Sequence, residues 1–129
     1  AEILGVTFQE MLPKSREVFI GCKRDSSFWE VILVGMWGIF VNIYEDVALK
    51  LAGVWREEIM WMFQSLKWYQ ILAGARGESS IHFESLIDIV EKIQEIFVSF
   101  PEITEIDINP AFANEKNAII VDAKLYLKY

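Results

Sequence analysis

The chain has 129 residues, of which 53% are hydrophobic and 24% are charged, and it carries a net charge of −7 at pH 7. This composition predicts one globular domain over residues 1–129 and excludes a disordered chain. The net negative charge argues against nucleic acid as a partner. No apolar run reaches the roughly 18 residues of a membrane helix, so we expect a soluble cytoplasmic protein without membrane contact.

The first half of the sequence has the pattern of β-strands. Its segments are rich in apolar, β-branched and aromatic residues, and turn-forming residues such as Asp25-Ser26-Ser27 separate them. Residues 39–44 and 47–52 flank Glu45-Asp46, and this predicts a hairpin that turns at the dipeptide. The predicted strands span residues 3–12, 17–24, 29–34, 39–44 and 47–52.

The second half changes to a helical period. Residues 56–67 carry acidic side chains in the first turn, as the helix dipole prefers, and a second helix runs from a cap at Ser80 to about residue 99. A loop over residues 69–78 separates the helices, and strands are predicted at 104–109 and 118–127. The resulting fold class is α+β, a mostly antiparallel β-sheet with two helices packed on one face.

Five segments, taken in chain order, carry a resemblance to a known family. They are residues 16–21, Arg24-Asp25, the glycine-flanked loop before Ile39-Phe40-Val41, residues 72–77 and residues 105–110. In this order they resemble the C-terminal lobe of the ATP-grasp domain of NDP-forming acyl-CoA synthetases, as in the acetyl-CoA synthetase beta-type subunit. The resemblance implies a nucleotide gripped between two lobes. It also implies magnesium ligands at Asp107 and Asn109, whose oxygen atoms suit this hard cation.

Tryptophan is the main departure from that family pattern. All five tryptophans fall in one window, residues 29–68, at positions where the family usually has small or charged residues. Trp29 and Trp37 stand where glycine is usual, and Asn42 stands where glutamate is usual. Since only one lobe is present as well, the pattern favours an excised and redesigned natural domain in which the metal ligands are relics.

These departures predict an engineered protein-binding domain rather than an enzyme. Exposed Trp and Met side chains are typical of an interaction surface, and Trp dominates binding hot spots. The predicted hairpin places Trp37 near Trp55, and the first helix, which runs back toward the turn before Trp29, places Trp68 near Trp29. The partner would be a target protein or a second copy in a homodimer, and no cofactor is expected. The predicted interface consists of Trp29, Trp37, Trp55, Met60, Trp61, Gln64 and Trp68.

Two alternative functions stay open. Cys22 lies close to the turn after its strand and His82 opens the second helix, so the two side chains could form a Cys–His dyad that hydrolyses activated esters in an aromatic pocket. The third hypothesis is residual binding of MgATP, for which Asp107, Asn109, Glu17 and Arg76 are retained while Trp37 and Asn42 disturb the site.

Overall fold

The structure, a computed structural model, describes residues 4–13, 15–27, 29–36 and 46–128. Within these ranges the chain forms six β-strands, three α-helices and a 3₁₀ turn at Ala75–Gly77. The strands are β1 (Arg16–Asp25), β2 (Trp29–Met36), β3 (Asp46–Leu51), β4 (Ile103–Ala113), β5 (Ala118–Ile120) and β6 (Ala123–Leu127). The helices are α1 (Arg56–Gln64), α2 (Tyr69–Leu72) and α3 (Phe83–Ser99).

A single sheet contains all of these strands. Its order is β3-β2-β1-β4-β5, and β6 also pairs with β4. Every pairing is antiparallel, so the predicted α+β class with an antiparallel sheet is confirmed. None of the helices in the described ranges is both long and apolar enough to cross a membrane.

The hydrophobic core lies between the sheet and the two longer helices. Along β1, Val18, Ile20 and Cys22 point toward the helices and are at most 1% exposed, because side chains alternate between the two faces of a strand. The helices contribute apolar side chains at three- and four-residue spacing, which forms one buried stripe on each. These residues are Ile59, Met62 and Phe63 on α1, and Leu86, Ile87, Val90, Ile93 and Phe97 on α3.

The start of α3 differs from the prediction. The helix begins at Phe83, and the residue that caps it is His82 rather than Ser80. The Nδ1 atom of His82 accepts the backbone N–H of Ser85 at 3.3 Å. A histidine with this nitrogen unprotonated can therefore replace the usual hydroxyl or carboxylate cap.

Three other segments differ from their predictions. Residues 4–12 form no strand, and Phe8 among them is exposed, because an apolar run needs a neighbouring strand to be stable as β-structure. The loop predicted over residues 69–78 contains α2 and the 3₁₀ turn, and the strand predicted over 118–127 is divided into β5 and β6. The strand predicted at 39–44 lies outside the described residues.

Asp46 is the first residue of β3 and not the turn residue that was predicted. The described partner of β3 is β2, with Met36 opposite Asp46. The Asp46 side chain is buried, and its carboxylate accepts the backbone N–H groups of Lys67 at 3.0 Å and Trp68 at 2.8 Å. These charge-assisted hydrogen bonds attach the segment after α1 to this end of the sheet.

This arrangement reverses the predicted positions of the tryptophans. β3 ends beside the start of β2, where the backbone N–H of Ala52 donates to the carbonyl oxygen of Glu30 at 2.8 Å. Since α1 begins directly afterwards, Trp55 lies at the Trp29 end of the sheet. Trp68 lies at the opposite end, because its backbone N–H donates to the Asp46 carboxylate. The predicted proximity of Trp29 to Trp68 is therefore wrong.

Candidate functional site

The face of the sheet that points away from α1 and α3 is covered by no helix of the described ranges, and we call it the open face. It consists of the side chains that alternate with the core residues along each strand. Gly21 lies near its middle and has no side chain, and the Leu33 side chain of β2 packs over it, with Cγ 3.2 Å from where a Cβ on Gly21 would lie. One row of register partners crosses the open face in the order Leu49, Leu33, Gly21, Asp107 and Lys124.

The β2–β3 side of the open face is apolar. On β3, Leu49 and Leu51 are 60% and 62% exposed, and Val47 is exposed beside them. They lie opposite β2 residues that include Leu33 and Val31. A flat apolar surface of this kind suits the ring of a ligand, because ligand sites are mostly apolar and burial removes this area from water.

The β4–β6 side of the open face carries charges of both signs. Asp107 faces Gly21 on β1 and Lys124 on β6, and Glu105 faces Lys23 on β1. Neighbouring strands are only about 5 Å apart. Within the described part of the chain, none of these four charged side chains forms an ion pair. The charges are therefore available to a ligand.

Asp107 and Asn109, the positions implied as magnesium ligands, lie on β4 beside a β-bulge. The pairing of β1 with β4 shifts by one residue between Val18 and Ile20, which leaves Asn109 and Pro110 together opposite one residue of β1. Ile106 and Ile108 of β4 are buried toward the helices. Asp107 and Asn109 alternate with them and therefore lie on the open face.

One carboxylate and one amide are an incomplete set of ligands for a metal ion. No group of three or more His, Cys, Asp or Glu side chains among the described residues could hold a metal. Mg²⁺, however, usually keeps several waters and binds one or two carboxylates together with phosphate oxygens of the substrate. Asp107 and Asn109 therefore fit a magnesium ion that binds together with a phosphate ligand.

The glycine at position 35 has a packing role. A Cβ atom there would lie 2.1 Å from Cζ of Phe19 and 2.7 Å from the carbonyl oxygen of Asp46. The Phe19 ring thus covers Gly35 and is buried although it points to the open face. Gly35 is needed for this contact inside the sheet, while Trp37 of the same sequence segment lies outside the described residues.

The tryptophans of the predicted interface that lie in the described ranges are exposed. The Lys50 ammonium lies 4.9 Å from the ring centroid of Trp61, so this indole already has a cation partner within the chain. A role of these side chains in binding a protein stays a prediction. Trp29, Trp55, Trp61, Gln64 and Trp68 are exposed, and Met60 is half-buried against the core.

The structure separates Cys22 from His82. The backbone N–H of His82 donates to the carbonyl oxygen of Asn114 at 2.7 Å, beside the end of the sheet where Arg16 pairs with Ala113. Cys22 lies six residues further along β1, which is about 20 Å at the rise of a strand. Burial raises the pKa of its thiol to about 12, so no thiolate forms near neutral pH. The Cys–His dyad and its esterase activity are therefore wrong.

The apolar half of the open face and Lys124 were not among the predicted site residues. Alternation of apolar and polar residues in β3 was the available signal, because Val47, Leu49 and Leu51 share one face of that strand. Only the register with β2 shows that this face continues toward Asp107.

Comparison with known proteins gives consistent matches along the chain. The sequence profile of the ATP-grasp domain matches residues 1–127. The chain is 46% identical over 127 residues to the beta subunit of acetate–CoA ligase (ADP-forming) I of Pyrococcus furiosus, which covers 98% of this chain and 55% of that subunit. It is 38% identical over 131 residues to the beta subunit of ligase II of the same organism, covering 99% of this chain and 56% of that subunit. The chain thus spans about half the length of these curated relatives.

A solved structure has the same fold. It is the dinucleotide-forming acetyl-coenzyme A synthetase 1 of Ca. Korarchaeum cryptofilum, in complex with coenzyme A and Mg-AMPPCP. The TM-score is 0.85 at 32% identity, and the match covers 93% of this chain and 56% of that chain.

These similarities overturn the prediction of an engineered protein-binding domain. The chain aligns over 98% of its length with a subunit of an ADP-forming ligase, and the matching family is a nucleotide-handling one. The pattern therefore points to nucleotide-dependent enzymes, and the prediction is wrong.

Proposed function

The chain belongs to the ATP-grasp domain family, as its five sequence segments indicated, and from this premise we propose that it binds a magnesium–adenine nucleotide complex on the open face of its sheet. The observation that carries the proposal is the row of register partners that joins Leu49 and Leu33, through Gly21, to Asp107. The names of the relatives support adenine nucleotides, since the ligases form ADP and one solved relative holds Mg-AMPPCP.

The row has the chemistry that an extended nucleotide needs. The base packs on the apolar side, against Leu33 and Leu49, where its flat ring removes apolar surface from water. The ribose and phosphates cross β1 at Gly21, which adds no side chain of its own to the Leu33 side chain that packs there. From Leu49 to Asp107 the row crosses three strand spacings of about 4.8 Å each. This length brings the phosphates to the charged side of the open face.

The charged side fits the phosphates. Asp107 and Asn109 would hold magnesium together with phosphate oxygens, and the ion would neutralise the phosphate charge and fix its orientation. Lys124 lies opposite Asp107 on the edge strand β6, and its ammonium adds positive charge on the side away from Gly21. These residues of the chain bind and orient the nucleotide.

We place this site within an ADP-forming acyl-CoA ligase. Since the chain spans about half of its curated relatives, the open face supplies one wall of the nucleotide site, and sequence outside this chain supplies the other. Of the charged residues on the open face, Asp107 is assigned to the metal ion and Lys124 to the phosphate charge. Their part in the ligase reaction is therefore to bind the nucleotide in a fixed orientation.

Calorimetric titration of the chain with MgADP and MgATP tests the proposal. We expect saturable binding, and we expect Asp107→Asn to weaken it at least about 10-fold, because the substitution removes the carboxylate from the metal. The matched control is Glu57→Gln, which removes the same charge from an exposed residue of α1 on the other side of the sheet. Absence of binding, or equal affinities of the two variants, would contradict the proposed function.

A further inference from the structure

A second cleft lies on the helix side at one end of the sheet, and we call it the Arg76 cleft. Lys67, Trp68 and Arg76 contribute to its walls, and its volume is about 450 Å³, which is within the usual range of small-molecule sites. Trp68 is attached to Asp46, which shares one face of β3 with Lys50. Because the Lys50 side chain contacts α1, the cleft lies on the side of the sheet opposite the open face.

The backbone of the Arg76 cleft has an unusual conformation. Arg76 has φ 63° and ψ 35°, in the left-handed region that residues with a β-carbon rarely adopt. The glycines on either side, Gly74 and Gly77, also have positive φ, and a Cβ on Gly74 would lie 2.5 Å from the carbonyl oxygen of Glu78. The turn is therefore tightly constrained, and it displays an arginine at a position where glycine would be more stable.

No contact within the described part of the chain explains this conformation. Arg76 is exposed, and neither Arg76 nor Lys67 forms an ion pair with another described residue. Glu78, the acid in the wall of the cleft, is neutralised by Arg16. Two cations that have no ion-pair partner among the described residues thus share one cleft in a protein whose net charge is −7.

An anion with an attached ring fits these walls. An arginine guanidinium binds phosphate through two parallel hydrogen bonds, and a lysine ammonium adds a point charge. Trp68 is partly exposed and offers an indole face against which a nucleobase can stack.

We propose that the Arg76 cleft binds the phosphate monoester of an adenosine phosphate. The phosphate lies between Lys67 and Arg76, and the adenine ring lies against Trp68. Free AMP and the 3′-phosphorylated adenosine end of coenzyme A share this chemistry. The site is distinct from the nucleotide site of the open face, because it lies on the other side of the sheet and needs no magnesium.

Calorimetric titration of the chain with AMP in excess EDTA tests the proposal, since chelation removes the magnesium on which the open face depends. We expect saturable binding of AMP and at least about 10-fold weaker binding of adenosine and of inorganic phosphate, because each lacks one of the two recognised groups. Coenzyme A in the same experiment identifies the source of the adenosine phosphate: the tighter of AMP and coenzyme A is the better ligand.

Arg76→Gly is the decisive variant. It removes the guanidinium and also relieves the left-handed backbone, so the free energy of unfolding does not fall while AMP affinity falls at least about 10-fold. The matched control is Lys116→Gln, an exposed loop residue outside the Arg76 cleft, with unchanged affinity. The proposal is overturned by a lack of AMP binding, by unchanged affinity of Arg76→Gly, or by a phosphoserine peptide that binds as tightly as AMP.

Discussion

Trp29 begins β2 with a φ of 69°, a conformation that costs a residue with a β-carbon about 1 kcal/mol relative to glycine. Its indole is 82% exposed, so little burial offsets this cost. The family resemblance places a glycine here, and the backbone gives the physical reason. The residue type alone suggested a binding anchor, because a sequence does not show the φ at which a side chain is held.

Replacing Trp29 by glycine should stabilise the protein. We expect the free energy of unfolding to rise by about 1 kcal/mol, since glycine adopts a φ of 69° without steric cost. Urea denaturation measures this difference. Trp55→Gly is the control, because Trp55 is also exposed but has a φ of −81°. Equal effects of the two substitutions would show that the backbone of Trp29 is not strained.

Gly35→Ala should destabilise the protein. The new Cβ would lie 2.1 Å from the Phe19 ring and 2.7 Å from a backbone oxygen that cannot easily move. We expect a loss of about 1–3 kcal/mol in the free energy of unfolding, as for other overpacked interiors. Gly21→Ala serves as control on the same face, because its Cβ would meet only the flexible Leu33 side chain at 3.2 Å. A loss in the control as large as in Gly35→Ala would contradict this account.

At the scale of elements, the sequence predicted what depends on local pattern. β1, β2, β3 and the two long helices are close to their predicted bounds, because alternation and helical period are properties of short segments, whereas β4 continues past its predicted end at residue 109 to Ala113. Pairing is not local. Asp46 is a residue type that is typical of turns. Its carboxylate is nevertheless buried, because it accepts hydrogen bonds from two backbone N–H groups of a segment about 20 residues away.

The same limit applies to the candidate site. Asp107 and Asn109 followed from the family resemblance, whereas the apolar wall needed the register that brings Leu49 beside Leu33. The Cys–His hypothesis failed for a related reason. Cys22 and His82 lie at distant positions along the sheet, and no feature of either residue reveals that separation.

The contact between β3 and α1 should depend on pH. The Glu58 carboxylate accepts a hydrogen bond from Lys50 at 2.8 Å and the backbone N–H of Trp55 at 3.2 Å, which holds the pKa of this carboxyl below its usual range. A lowered folded-state pKa gives stability that is present above the unfolded pKa of 4.5 and is lost as pH falls through the folded value.

Thermal unfolding of Glu58→Gln across pH 2–7 measures this effect. We expect a lower Tm than for the unsubstituted protein near neutral pH and a difference that disappears in acid. Glu57→Gln, an exposed neighbour in the same helical turn, should show a smaller difference. A difference for Glu58→Gln that stays constant with pH would mean that the charge of this carboxylate is not responsible.

At the scale of the whole molecule, the two sides of the sheet have different roles. The helix side is filled by the core, and the open face keeps exposed leucines beside carboxylates and lysines. A monomeric domain gains nothing in stability from exposed leucines on a sheet face. They are explained if the open face is the wall of a ligand site, which is the central claim for this ATP-grasp chain.

The most direct test is a ¹H–¹⁵N NMR titration with MgADP. We expect saturable shift changes at the amides of one row of residues, and unchanged amide shifts on the exposed side of α3. The row consists of Leu49, Leu33, Gly21, Asp107 and Lys124. Shift changes confined to the helix side, or no changes at millimolar MgADP, would contradict the account.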